Sequence, residues 1–180
     1  MSTEIRAIEP GELASFLETM RAPFHLPPRS MADAAAFRLP HLDLSRCLGA
    51  FDGGHIVGTY RSWPTDLTLP GRRTAPSSAV TMVTVLPTHR RRGILTTMIE
   101  RDLRASRERG EVLAILIAAE YPIYGRYGFG AATEECGLEI DARSATIRGG
   151  RSGTLELVEP ATLRAIAPSV YEEFRIAQPG

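Results

Sequence analysis

The sequence contains no lysine and no asparagine, so all 21 of its Lys+Arg positions are arginine. Codon bias in a GC-rich genome accounts for such a composition. Its chemical consequence is that every cation apart from His is permanently charged, and none can serve as a base or a Schiff-base residue. Cysteine is scarce too. Cys47 and Cys136 stand alone, without a CxxC or a Cys/His cluster, and read as a pair of buried free thiols rather than a disulfide or a metal site. No apolar run approaches the roughly 20 residues that span a bilayer. The start, Met1 to Arg6, has no basic-then-apolar signal pattern, so the chain reads as cytoplasmic with no membrane partner. Net charge is absent as well: 21 basic and 21 acidic residues give +0, which argues against a general polyanion binder and confines basic character to local clusters.

What is present is enough for one sizeable core and the beginning of a second, since 43% of 180 residues are hydrophobic. Glu4 to Ile8 alternates as a strand, and Glu9-Pro10 opens a helix with Leu13, Phe16, Leu17 and Met20 on one face. Residues 21 to 30 are a Pro-rich loop, and Met31 to Leu39 is a short Ala-rich helix. Asp52-Gly53-Gly54 joins two strands, Cys47 to Phe51 and His55 to Tyr60, as a hairpin; the second can run on to Leu69 with a bend at Pro64. Ala79 to Leu86 is the next strand and Arg91 to Arg109 the main helix, with Ile94, Leu95, Met98, Ile99 and Leu103 inward and Gly110 ending it. The apolar run Val112 to Ala119 predicts a strand covered on both faces. A helical turn near Ile123 to Tyr127 and a strand across Ala131 to Ile140 complete the order β-α-α-β-β-β-α-β-α-β, an α/β fold with a mixed sheet.

The tail echoes the beginning. Val158-Glu-Pro-Ala-Thr-Leu163 parallels Ile8-Glu-Pro-Gly-Glu-Leu13, with Ile166 and Val170 in place of Phe16 and Met20. The expectation is therefore a main domain at 1–145 and a strand-helix tail at 152–180 that resembles the start of a second domain of the same type. Its helix would show Leu163, Ile166, Val170 and Phe174 with little of its own to pack on. A homo-oligomer and missing C-terminal domains are the two coverings this leaves open.

Two motifs carry chemistry. Val83-Thr-Val-Leu-Pro-Thr-His-Arg-Arg-Arg-Gly-Ile-Leu95 runs from an apolar strand through a Pro turn into a basic helix start. Unpaired N–H groups and the dipole attract phosphate there, Gly93 admits close backbone approach, and Arg90, Arg91 and Arg92 add charge. The alternative is a solvated basic cluster or a nucleic-acid patch, which fits poorly because the chain is neutral and its aromatics are not interleaved with the cluster. Tyr124-Gly-Arg-Tyr-Gly-Phe129 places a phenol beside a Gly-rich turn. Tyr124 is either a proton donor or a core aromatic beside Tyr121 and Tyr127; Arg126 meets a phosphate or an acidic substrate, or is a plain surface charge.

Arg90-Arg-Arg-Gly93-Ile-Leu95 resembles the R/Q-x-x-G-x-G/A acyl-CoA loop of the GNAT superfamily of N-acyltransferases, and Tyr124 to Phe129 resembles its Y-x-x-x-G-F segment. More narrowly, Val83 to Leu95, Ala119-Glu120, Ile123 to Arg126, Gly58-Thr-Tyr60 and Leu69-Pro-Gly71 look like the Eis branch, which shares the departure at Leu95. The resemblance covers residues 1 to about 140. It implies a GNAT acyl-CoA N-acyltransferase fold, a mixed splayed sheet flanked by helices, with acetyl-CoA as co-substrate and no metal. The cofactor would lie between Thr81 to Leu86 and Val112 to Ala119, held by Val83, Val85, Arg90, Arg91, Gly93, Ile94 and Arg126, with Tyr124 protonating the leaving thiolate. The acceptor it implies is a primary amine, on an aminoglycoside-like small molecule or a lysine. In the Eis branch a C-terminal carboxylate from a further domain serves as base, and this sequence ends at Gln178-Pro179-Gly180 without it. Glu120 is the local candidate base, ahead of His25 and His55, and Phe24, Trp63 and Asp66 are candidate walls of an acceptor pocket. The rival expectation is an acyl-CoA-binding or scaffold module without turnover, or an inactive fragment of a longer Eis-like enzyme.

Overall fold

A computed structural model of the protein describes residues 3–134, 136–146, 149 and 153–177. The elements are β1 (Glu4–Ala7), α1 (Leu13–Arg21), α2 (Ala32–Arg38), β2 (Cys47–Asp52), β3 (His55–Leu69), β4 (Arg73–Val85), α3 (Ile94–Glu108), β5 (Leu113–Leu116) and α4 (Pro160–Ala177), with short 3-10 turns between several of them. The chain divides into two compact units, Met1–Leu67 with Thr74–Gly130, and Thr68–Arg73 with Ala131–Gly180.

The five strands form one mixed sheet in chain order, β1 to β5. β1, β2 and β3 pair antiparallel, whereas β5 lies parallel to β4 because α3 carries the chain back across the sheet. Alternation along β2 sends its residues to opposite faces. Cys47 and Phe51 join Leu13, Phe16, Leu17 and Met31 under α1 and α2. Leu48 and Ala50 join Val57, Tyr60 and Val80 beneath Ile94, Met98 and Ile99 of α3. Gly58 permits that second layer: a Cβ there would meet the Ala50 Cβ, the Ile94 Cγ2 and the Thr84 carbonyl oxygen, each at 3.2 Å.

α3 ends in the hydrogen-bond pattern that a glycine at φ 83° allows: Gly110 N–H donates to the Arg107 carbonyl and Glu111 N–H to that of Ser106, both at 3.0 Å. This turn delivers Glu111 to a buried guanidinium. Arg46, 4% exposed, donates to both Glu111 carboxylate oxygens at 2.6 and 3.2 Å, to Ser78 Oγ at 3.1 Å and to Ser62 Oγ at 3.2 Å. Ser62 in turn donates to Asp102, which also accepts from Tyr60. β3, β4 and α3, with the turns that precede β2 and β5, are thus tied by one ionic cluster with its polar atoms satisfied, the condition under which buried charge is tolerated.

Several expectations are corrected. α3 begins at Ile94, not Arg91, because Arg91 and Gly93 adopt left-handed φ of 62° and 78° that a helix cannot contain. β4 starts at Arg73, six residues before the expected Ala79, and lies next to β3 in the sheet. The run Val112 to Ala119 is not a strand covered on both faces. Only Leu113–Leu116 pairs, and Val112 and Ile117 are 68% and 89% exposed, because β5 is the last strand of the sheet. The strand expected across Ala131 to Ile140 does not form among the described residues there, where Leu138 and Ile140 are exposed. In the tail, the expected helix forms as α4, whereas the described residues before it, 153–159, have no strand structure. Within its own unit, Arg175 of α4 donates to Thr68 Oγ1 at 3.0 Å and pairs with Glu172; Leu163, Ile166, Val170 and Phe174 are exposed.

Burial pushes the Glu111 carboxyl up, but hydrogen bonds from Arg46, Arg109 and Ser106 and the charge of Arg46 outweigh it and hold its pKa at about 2, below the ordinary 4.5. A depressed carboxylate stabilises the fold above its unfolded pKa and loses that contribution as pH falls towards the folded value. The urea midpoint should therefore drop as pH is lowered from 4.5 to about 2. Glu111→Gln should cost about 3 kcal/mol at pH 7 by leaving Arg46 uncompensated, and should flatten the acid limb. An unchanged midpoint in the variant would remove the ion pair from the stability account.

Candidate active site

β4 and β5 are bonded only from Ser77↔Leu113 to Val80↔Leu116. Beyond that point β4 continues to Val85 while β5 has ended, and a cleft of about 750 Å³ opens beside the parting strands. It is lined by the end of β4, the loop before α3 and the first turn of α3, the turns after β5, and Pro23 with Phe24.

The β4 wall is irregular for a definable reason. Met82 has φ 52°, interrupting the extended run, and its carbonyl accepts the Thr59 hydroxyl at 2.7 Å. Thr59 has one proton to give, so the Thr84 hydroxyl, also 2.7 Å away, donates to Thr59. This pair anchors the strand to β3, and Val83, Thr84 and Val85 line the cleft. Arg90 Nε donates to the Val85 carbonyl at 3.4 Å, a long bond that a ligand group can displace.

The phosphate-attracting end is built by the loop. A 3-10 turn at Pro87–His89 is followed by an extended Arg90 and a left-handed Arg91, and left-handed Gly93 then caps α3 without a side-chain bond. Helix geometry leaves the first-turn N–H groups without intrahelical partners. Gly93, Ile94, Leu95 and Thr96 all line the cleft, so those donors and the positive end of the α3 dipole open towards it, flanked by Arg90 and Arg91.

Opposite stand two successive 3-10 turns, Tyr121–Ile123 and Gly125–Tyr127. Tyr127 is bonded through its hydroxyl to Thr96 Oγ1 at 2.9 Å, which fixes this wall to α3. Tyr124 packs edge-on against Phe129 at 5.9 Å, half-buried. Burial, then the nearby Glu120 carboxylate and Tyr127, push its phenol above the ordinary value of 10.0, so it keeps its proton at neutral pH. Arg126 donates to the Ile123 carbonyl at 3.1 Å and lies over the Tyr127 ring.

Val83, Val85, Arg90, Arg91, Gly93, Ile94, Tyr124 and Arg126, each singled out from sequence, line this one cleft, as do Glu120 and Phe24. Trp63 and Asp66 do not; Trp63 instead carries the Arg61 guanidinium over its ring at 5.3 Å. Thr96 and Pro23 were missed. Thr96 had a readable signal, a hydroxyl three residues after Gly93 in the turn that faces the loop. Among the described residues no group of three His, Cys, Asp or Glu side chains can hold a metal ion, and no helix is long and apolar enough to cross a membrane.

A family model described as acetyltransferase (GNAT) domain matches residues 4–132. An uncharacterized N-acetyltransferase of Streptomyces avermitilis is 42% identical over 186 residues, covering 98% of this chain and 44% of the relative. The N-acetyltransferase Eis of Mycobacterium tuberculosis is 37% identical over 138 residues, 73% of this chain and 34% of Eis. Eis1 from Mycobacterium abscessus, a solved structure, has TM-score 0.63 and 38% identity, covering 73% of this chain and 32% of that one. The chain spans less than half the length of these relatives.

The left-handed backbone at Arg91 is held at a steric cost of about 1 kcal/mol, which glycine does not incur. Arg91→Gly should therefore melt no lower than Arg91→Ala, despite glycine's greater unfolded-state entropy. A thermal midpoint clearly below that of the alanine variant would show that the loop is not strained.

Proposed function

Because the chain belongs to the GNAT acetyltransferase domain family, we propose that it transfers the acetyl group of acetyl-CoA to a primary amine, that of an aminoglycoside-like small molecule or a lysine side chain, in one ternary complex. One observation carries this reading: the α3 N-terminus with Arg90 and Arg91, the end of β4 and the Tyr124 phenol line the same cleft. Its volume of about 750 Å³ lies within the roughly 300–1,000 Å³ usual for small-molecule sites.

Acetyl-CoA, when bound, supplies the acetyl group as an activated thioester. Arg90, Arg91 and the N–H groups of Gly93 and Ile94 suit its phosphates, the first pair through charge-assisted bonds and the second through the helix dipole. Val83 and Val85 offer backbone groups along the strand for the pantetheine arm, and Arg126 adds a cation at the rim. Tyr124, protonated at neutral pH, is suited to give its Oη proton to the departing sulfur, whose ordinary thiol pKa is about 8.5.

The acceptor must lose a proton too. A primary amine with pKa about 10.4 costs about 4.6 kcal/mol to deprotonate at pH 7. Glu120 is the carboxylate among the lining residues, and it or a chain of waters takes that role. The free thiols of Cys47 and Cys136 fit a reducing, cytoplasmic setting. A cofactor-holding module without turnover is the second reading, favoured by the lone carboxylate among the lining side chains.

Tyr124→Phe should lower kcat about 10²-fold or more while acetyl-CoA affinity stays within about twofold, judged by calorimetry beside thiol release. Equal losses in both would make Tyr124 a packing residue. Arg90→Ala and Arg91→Ala should each weaken acetyl-CoA binding about tenfold, and unaltered affinity would remove them from the site. Acetyl-CoA binding by the wild-type chain without thiol release across aminoglycosides, polyamines and lysine peptides would favour the second reading.

A further inference from the structure

Asp52 is not among the residues that line the cleft, yet it holds the loop that forms one wall. The turn Gly53-Gly54, with φ of 56° and 81°, closes the β2–β3 hairpin and sets Asp52 opposite His55 on a rigid support. From there Asp52 Oδ2 accepts His89 Nε2–H at 3.1 Å and pairs with Arg92 Nη1 at 3.9 Å. With Nε2 donating, the second ring nitrogen Nδ1 accepts the Thr88 hydroxyl at 2.8 Å. Arg92 Nη2 donates to the Thr88 carbonyl at 3.1 Å, closing the loop on itself.

The basic run His89 to Arg92 is thereby divided. Its two outer members bond to the hairpin carboxylate, His89 while itself lining the cleft, and its two inner members, Arg90 and Arg91, line the cleft beside Gly93. Three adjacent arginines left to themselves would repel one another and spread over many rotamers. Pairing Arg92 with the carboxylate and tethering His89 lets the inner part stay put, and holds the left-handed turn at Arg91 between those two anchored residues. Asp52, with its side chain 24% exposed, is too accessible to be needed mainly for the core.

We propose that Asp52 is a positioning residue for the phosphates of acetyl-CoA, acting through His89 and Arg92 to preform the cradle made by Arg90, Arg91 and the α3 N-terminus. This rests on the acetyl-CoA reading of the cleft. A preformed cradle spares the ligand the ordering of a flexible loop, so its loss weakens binding without removing any group that touches the ligand.

The test is calorimetric titration of the chain with acetyl-CoA and with S-acetylpantetheine, which lacks the pyrophosphate and nucleotide. Asp52→Ala should weaken acetyl-CoA binding about five- to tenfold and leave S-acetylpantetheine binding within about twofold. Asp52→Asn, which keeps an oxygen for His89 and is the milder change should the alanine variant fold poorly, should weaken acetyl-CoA about two- to threefold. In a His89→Ala, Arg92→Ala background, Asp52→Ala should add nothing further, because the residues through which it acts are gone. Wild-type affinity for acetyl-CoA in both Asp52 variants, or equal losses for the two ligands, would overturn the positioning role and leave the cofactor reading standing. A wild-type chain that binds neither ligand would overturn that reading and the clamp with it.

Discussion

The structure depends on two parallel strands that are bonded at one end and apart at the other. β4 and β5 share four register pairs and no more, and the candidate site is the space where the fifth and sixth would have been. Hydrogen bonding alone would favour further pairing, so the closed end has to be fixed by something stronger than the ladder. Arg46 supplies that. Its guanidinium reaches Ser78 within the paired span of β4 and Glu111 just before β5, and the Val112 N–H adds a bond to the Pro76 carbonyl at 2.8 Å. Asp102, Tyr60 and Ser62 extend the same polar cluster towards α3, so the helix whose N-terminus faces the cleft is registered against the closed end.

At the open end the controlling features are backbone conformations rather than side chains. Met82, Arg91 and Gly93 all have positive φ, and each sits where a regular element is interrupted beside the cleft. Met82 is held by Thr59, and Arg91 lies between His89 and Arg92, both held by Asp52. Strain of this kind persists only where surrounding bonds over-determine it, and it gathers where a ligand needs backbone donors aimed at one point. A chain whose cations are all arginine suits this loop, because the guanidinium charge does not vary with pH and its planar fork matches phosphate oxygens.

Much of this frame was legible beforehand. Asp52-Gly53-Gly54 announced its turn through glycine's access to positive φ, and Ile94, Met98 and Ile99 announced the buried face of α3 through spacing. Most of the residues that line the cleft, though not Pro23, Phe24 or Thr96, were gathered by two short motifs and the resemblance they carry. Three things stayed out of reach. An apolar run reports hydrophobicity, not neighbours, so Val112 to Ala119 could not reveal that it borders the sheet's open edge. A tract of helix-compatible arginines could not reveal that Arg91 turns left-handed. The Asp52 clamp joins residues 37 apart in sequence, and nothing local to either marks the other.

The central claim is that the α3 N-terminus, at the parting of β4 and β5, holds the phosphates of acetyl-CoA. Amide NMR of the isotope-labelled chain during acetyl-CoA titration tests it most directly, since it reads the backbone donors themselves. The account predicts saturable shifts concentrated at the amides of Arg91, Gly93, Ile94 and Leu95, with a second set at Val83 and Val85. Saturable shifts that spare these residues and cluster elsewhere, or no shifts at all, would contradict it.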